Sequence, residues 1–293
     1  MANKFLSLRI RSSQSIFDEA LGVHVYHVTD PHALTQASGY LKYAHAKSNE
    51  RVYFRGQSAL YKTLSPTLYR GVASRAAQDT RTVALSSLME ATKERSASIR
   101  ALAPGVAEPL LQHYGLRTSW LDVVDNIWVA LWFACHKAHS EGVLGKHVHF
   151  ERRQVRYEEN SDRFAYILLI EVDATNGLDE APGLWRGRAT ELIDLRLAAP
   201  STYLRPHAQH GLLFRLKGGS ERRKTNYSER IAGIIRVDLE SALEWLGEGR
   251  LLQIHSLFPP PVYDPGYAQL LEDFSGGGLP CTPLTGTIQH IGA

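Results

Sequence analysis

The chain has 293 residues, 44% hydrophobic and 22% charged, with a formal net charge of +3; this is globular composition, and too weakly basic to imply a nucleic-acid binder by itself. Its two cysteines, Cys135 and Cys281, make neither a zinc spacing nor a disulfide framework, which fits a reducing compartment. The N-terminus lacks an apolar leader, and the longest apolar runs, Ile127–Cys135 and Ala165–Ile170, are too short to span a bilayer, so the expectation is a soluble cytoplasmic protein with no membrane partner.

Val23–Val28 alternates as a strand, and Asp30-Pro31 opens a helix reaching Tyr43 or Ala46. Val52–Phe54 is a short strand, and Tyr61–Arg70, with Pro66 inside it, reads as extended loop. A long helical stretch from Ala76 to Ala103 carries Leu85, Leu88 and Met89 on one face and stops at Pro104-Gly105. Pro109–Tyr114 is a second helix closed by Gly115, and Asp125 or Asn126 caps a third, Ile127–Lys137. Strands follow at Phe164–Val172, Gly211–Leu216 and Ile231–Val237, with Leu251–Leu257 a further strand candidate. Ser241–Leu246 is a short helix, Asp264-Pro265 starts another through Asp273, and the glycine-rich stretch from Ser275 reads as a loosely held tail. Helices first and strands later predict an α+β fold.

Arg55 is the leading site candidate. It ends an apolar strand and is followed by Gly56 and Gln57. A permanently charged guanidinium there calls for an anionic partner, either a local carboxylate or a ligand. The glycine lets another backbone or a ligand approach. Gln112–Asp122 is a polar stretch between apolar anchors, the kind of loop that carries function. In it His113 exchanges protons near neutral pH, Tyr114 offers a flat face, and Asp122 orients either one. The alternative for His113 is a capping or core role. Gln209, at the entry to an apolar strand, either binds a ribose or amide or satisfies loop backbone groups.

These motifs, taken together and in order, resemble the FRG domain. They are Phe54-Arg55-Gly56-Gln57, Leu64–Arg70, Gln112–Thr118 with Leu121-Asp122, Ala130–Ala134, Arg205 with Gln209–Phe214, and Leu257-Phe258-Pro259. The resemblance covers residues 51–274, leaving 1–50 as an N-terminal extension and 275–293 as a tail. The chain departs from the family at Thr118-Ser119-Trp120-Leu121-Asp122-Val123-Val124, where FRG domains usually carry Thr-Arg-Leu-Leu-Asp-Trp-Thr.

The FRG domain is in turn distantly similar to ADP-ribosyltransferases. That likeness implies an N-terminal helical portion packed on a split, mainly antiparallel sheet, and NAD as substrate. It also implies an effector acting as a toxin or in anti-phage defence, with a macromolecular target and a phage or antitoxin partner. Arg55, Gln209, His113 and Asp122 become the catalytic candidates. Arg55, Gly56, Gln57, Tyr114, Arg117, Thr118, Ser119 and Arg205 become the cofactor-binding ones. Arginine would hold the diphosphate or ribose, Tyr114 would stack on nicotinamide, and the third element would steady an oxocarbenium ion. Gln209 standing where a glutamate is expected implies a slower enzyme or a domain that binds without reacting.

The alternative function is a non-catalytic module for nucleotides or nucleic acid. It draws on Arg152-Arg153, Arg156, Arg186, Arg188, Arg222-Arg223-Lys224 and Arg230 with Tyr157 and Tyr227, although interleaved glutamates favour a solvated face. His147, His149 and Glu151 sit on one face of a strand, but with no further carboxylate cluster no metal is assigned.

Overall fold

The computed structural model describes residues 10–19, 22–46, 50–155, 163–179, 181–217, 225–275 and 278–292. Strands β1 (Ser13–Asp18) and β2 (Val23–Val28) form a hairpin, followed by helix α1 (Pro31–Ala46) and strand β3 (Arg51–Gln57). Next come α2 (Arg75–Arg95), α3 (Ala97–Arg100), α4 (Ala107–His113), β4 (Leu121–Val124) and α5 (Ile127–Cys135). Strands β5 (His136–Glu141) and β6 (His147–Arg152) pair with each other. The second half holds β7 (Phe164–Val172), β8 (Asn176–Leu178), β9 (Ala181–Arg186), β10 (Thr190–Asp194), α6 (Leu195–Ala198), α7 (Leu204–Ala208) and β11 (Gly211–Leu216). It closes with β12 (Ile231–Asp238), α8 (Leu239–Trp245), α9 (Ile254–Leu257), α10 (Pro265–Ser275) and β13 (His290–Ile291).

Ten strands make one sheet in the order β1-β2-β12-β7-β3-β4-β11-β10-β9-β8, and β13-β6-β5 make a second. Among the described residues of the large sheet, β12 and β2 are the one parallel pair, so the sheet is mainly antiparallel, as expected. Its two halves meet at β3 and β4, which share a single bridging pair, Phe54 with Val124. By contrast, β3 and β7 pair along seven positions, from Arg51 with Val172 to Gln57 with Tyr166.

The period of two sorts the core. On β7, Ala165, Ile167 and Leu169 pack beneath α1, α5 and α8, while Tyr166, Leu168 and Ile170 face the other side. That other side is covered by Leu60, Leu64 and Tyr227 from loops; Tyr227 N–H donates to the Leu64 carbonyl at 2.7 Å. A third cluster joins α2, α4 and α10 to Ile193 and Leu213 of the sheet.

Several expectations are corrected. The helix foreseen over 76–103 breaks at Ser96, whose amide caps α2 through the Thr92 carbonyl and whose hydroxyl accepts from the Ile99 amide to open α3. The helix from Ile127 stops at Cys135, and Lys137 lies in β5. Leu251–Leu257 is no strand: Leu251 is exposed and Ile254–Leu257 is helical. The C-terminal segment is docked rather than loose. Thr285 and Ile288 are buried, the Gln289 amide donates to the Tyr114 carbonyl at 2.8 Å, and β13 extends the small sheet beside β6. Elements also interleave along the chain, so the order of helices then strands does not hold.

Candidate functional site: an arginine-lined cleft

Strand β3 delivers Arg55 to the point where β3 and β4 part. Its Nη1 donates to the Asp122 carbonyl at 2.6 Å and stands 3.8 Å from the Asp122 carboxylate. The Arg55 side chain is 15% exposed, and its Nε has no hydrogen-bond partner among the described residues. Burial pulls the guanidinium down to about 10, opposed by Asp122 and assisted by the nearby Arg70 charge, so it stays cationic at neutral pH. Arg55 is thus held by one nitrogen and keeps donor capacity for an anion.

Arg55 borders a cleft of about 440 Å³ lined also by Gln57, Ser58, Tyr61, Thr63 and Arg70 among others. Arg70 is exposed and fastened through its Nε to the Ser65 carbonyl at 3.2 Å. Tyr61 is 56% exposed. Neither Tyr61 nor Arg70 was singled out from the sequence, because an aperiodic loop gives no phase from which to tell lining residues from packed ones.

Gly56 lines the same cleft, but its need for glycine comes from packing. A Cβ there would overlap the Ala130 carbonyl oxygen and lie 2.8 Å from the Ala134 amide of α5. The close partner is a helix backbone, and the ligand approach expected at Gly56 is not what the residue identity requires.

The other expected site residues divide sharply. Asp122, with 47% of its side chain exposed, stands between Arg55 and His113, whose Nε2 is 4.0 Å from Asp122 Oδ1. His113 is sealed at 3% exposure against Gly211, and burial lowers its pKa, so it is neutral. Gln209 lies close enough to favour a proton on His113, yet neither ring nitrogen has a well-aligned hydrogen bond. Gln209 itself is 6% exposed and spends its Nε2 on the Leu257 carbonyl at 2.9 Å. It satisfies backbone and does not reach the cleft.

Tyr114 is fully buried, donates to the Asp264 carboxylate at 2.8 Å, and packs beside Tyr203 and Tyr267. Both burial and Asp264 raise its pKa, and no face is open for nicotinamide. Arg205 is enclosed between the Tyr114 and Tyr267 rings at 4.4 and 4.5 Å, with Nη1 on the His113 carbonyl at 2.6 Å. Thr118 is buried and bonded to Gln112, while the Ser119 hydroxyl donates to Glu108 at 2.7 Å. Arg117 is exposed and tied to the Pro283 carbonyl at 2.8 Å. These residues brace the loop between α4 and β4, whereas the cleft is lined by Arg55, Gln57 and the loop after β3.

Among the described residues, the basic ones are dispersed. Arg153 is buried on the Ala134 and Phe164 carbonyls, Arg186 pairs with Glu191 at 3.1 Å, and Tyr227 is buried. Arg156, Tyr157 and 222–224 lie outside the described residues. Of the strand histidines, His149 stacks on His139 and His147 on His290, while Glu151 pairs with His139 at 3.2 Å.

The fold and the cleft together give a mixed α/β structure, built on a mainly antiparallel sheet, with an arginine-lined cleft beside β3. Residues 50–142 match the FRG domain model, so the chain carries an FRG domain whose matched span includes Arg55, Arg70, His113 and Asp122. No curated protein and no solved structure matches the chain.

Proposed function

We propose that this FRG domain binds a phosphate-bearing nucleotide in the Arg55–Arg70 cleft. The observation that carries the reading is Arg55 itself, oriented by the Asp122 carbonyl and lining, with Arg70, a cleft of about 440 Å³, a size suited to a small ligand. Two guanidiniums supply the charge and the fork geometry that phosphate oxygens accept. Hydroxyls of Ser58 and Thr63 line the same wall, and the exposed Tyr61 ring offers the stacking face that Tyr114 does not. NAD and ADP both fit this chemistry.

The test is calorimetric titration of the purified chain with ADP, NAD and adenosine. ADP and NAD bind, adenosine does not, and Arg55→Gln weakens binding by roughly 10- to 100-fold, the worth of one charge-assisted hydrogen bond. Equal affinity for adenosine and ADP, or an unchanged Arg55→Gln protein, defeats the proposal.

A second reading, NAD cleavage by a toxin or anti-phage effector, is favoured by the half-exposed Asp122 carboxylate 3.8 Å from Arg55. With Gln209 committed to the Leu257 carbonyl, Asp122 is the carboxylate placed to steady a developing oxocarbenium ion. Nicotinamide release that survives in Asp122→Asn, or is absent with lysate present, removes this reading while leaving nucleotide binding intact.

A further inference from the structure

A second group of donors meets at the far end of β3, away from the arginine cleft. His45 stands in the last turn of α1, Glu50 just ahead of β3, and Glu171 near the end of β7. The β3–β7 register, which sets Val52 against Glu171, brings the two carboxylates together beneath α1. His45 Nδ1 is 3.3 Å from Glu50 Oε2 and 3.3 Å from Glu171 Oε2, and all three donor atoms lie within 4.8 Å of one another. The side chains are 2%, 25% and 10% exposed respectively.

We propose that His45, Glu50 and Glu171 form a zinc site that fastens the N-terminal extension to the FRG domain. One imidazole nitrogen flanked by two carboxylate oxygens at equal distance is poorly explained by a single N–H, which can point well at only one of them. The two His45–carboxylate separations instead match edges of a coordination shell. A tetrahedron with metal–ligand distances of about 2.0–2.1 Å has edges of about 3.3–3.4 Å. A divalent cation would balance the two carboxylates while leaving the imidazole neutral. The donor set also selects the metal. Magnesium and calcium prefer all-oxygen shells, whereas one nitrogen and two carboxylates with a fourth position for water suit zinc.

The site is separable from the nucleotide cleft, since its ligands share no residue with it. Its role is to join α1, which precedes the segment matching the FRG model, to β7 within the sheet.

The experiment is zinc titration of the EDTA-treated full chain, read by calorimetry and by thermal unfolding. The wild-type chain binds one zinc and unfolds at a higher temperature with zinc than with magnesium. Glu171→Gln and His45→Gln lose that binding by more than about 100-fold, whereas His149→Ala, which alters the exposed histidines of the small sheet, keeps it. Absence of zinc binding, retention in both Gln variants, or loss in His149→Ala overturns the site. Should the Gln variants fail to fold, cobalt added to the wild-type chain decides the matter: intense tetrahedral d–d absorption supports the site, and its absence refutes it.

Discussion

His113 ends α4 with its ring 3% exposed and its pKa lowered, chiefly by desolvation. The unfolded chain protonates its histidines below about pH 6.5, while folded His113 resists the proton, so folding releases protons in that range. A lowered histidine pKa therefore contributes stability at neutral pH that is lost as pH falls below the unfolded value. His27, His136 and His290 are shifted the same way, also mainly by burial. Unfolding free energy is expected to decline between about pH 7 and pH 5, by up to ~1.4 kcal/mol per pH unit for each proton taken up. The His113→Gln variant should show a shallower decline; a slope equal to wild type would mean His113 is not among the groups responsible. Residue roles were only partly legible in the sequence. Arg55 stood out because a charge at the end of an apolar strand needs an explanation. Tyr114, Thr118 and Ser119 misled because their partners, Asp264, Gln112 and Glu108, become neighbours only on folding.

At the scale of elements, the tightest contact near the cleft is strand β3 against helix α5, where Gly56 meets the backbone of Ala130 and Ala134. Backbone cannot swing aside as a side chain does, so a methyl group must push the helix off the sheet. Gly56→Ala is expected to cost about 3 kcal/mol or more, at or beyond the usual range for overpacking, measured by denaturant unfolding. A cost under about 1 kcal/mol would show that α5 is not seated as described. Elements with a strong local signal, such as the continuous apolar run of β7 and the Asp30-Pro31 start of α1, were readable in advance. Strand β4 was not, because its four residues follow a polar loop and alternate too briefly to register. Strand β5 was hidden by composition, since His136–Glu141 is dominated by histidine and charge and is mostly exposed, whereas β6 showed itself in the alternation of His147, His149 and Glu151.

For the whole molecule, the C-terminal segment matters more than its glycines suggest. Ile288 is buried in the core of α2, α4 and α10, Tyr267 donates to the Gln289 carbonyl at 2.5 Å, and the Arg117 amide donates to the Thr285 carbonyl at 2.9 Å. Burial of one isoleucine contributes about 1.5–3 kcal/mol, and each hydrogen bond roughly 0.5–1.5 more. A chain ending at Phe274 is therefore expected to lose about 3 kcal/mol or more and to become sensitive to limited proteolysis around Arg117. Unchanged melting and protease resistance would show that the docked segment is dispensable.

The single Phe54–Val124 bridge between the two five-stranded halves leaves Arg55 as a side-chain clasp across the seam, through the Asp122 carbonyl. A guanidinium that both closes the sheet and faces the cleft cannot serve either task independently. An anion that leaves the Asp122 contact in place and orders Arg55 tightens the join between the halves. One that draws Arg55 away from it must work against the cohesion of the sheet. By reciprocity, whatever strains the seam alters affinity in the cleft by the same factor, so this single-bridge junction and the candidate ligand site form one thermodynamic unit.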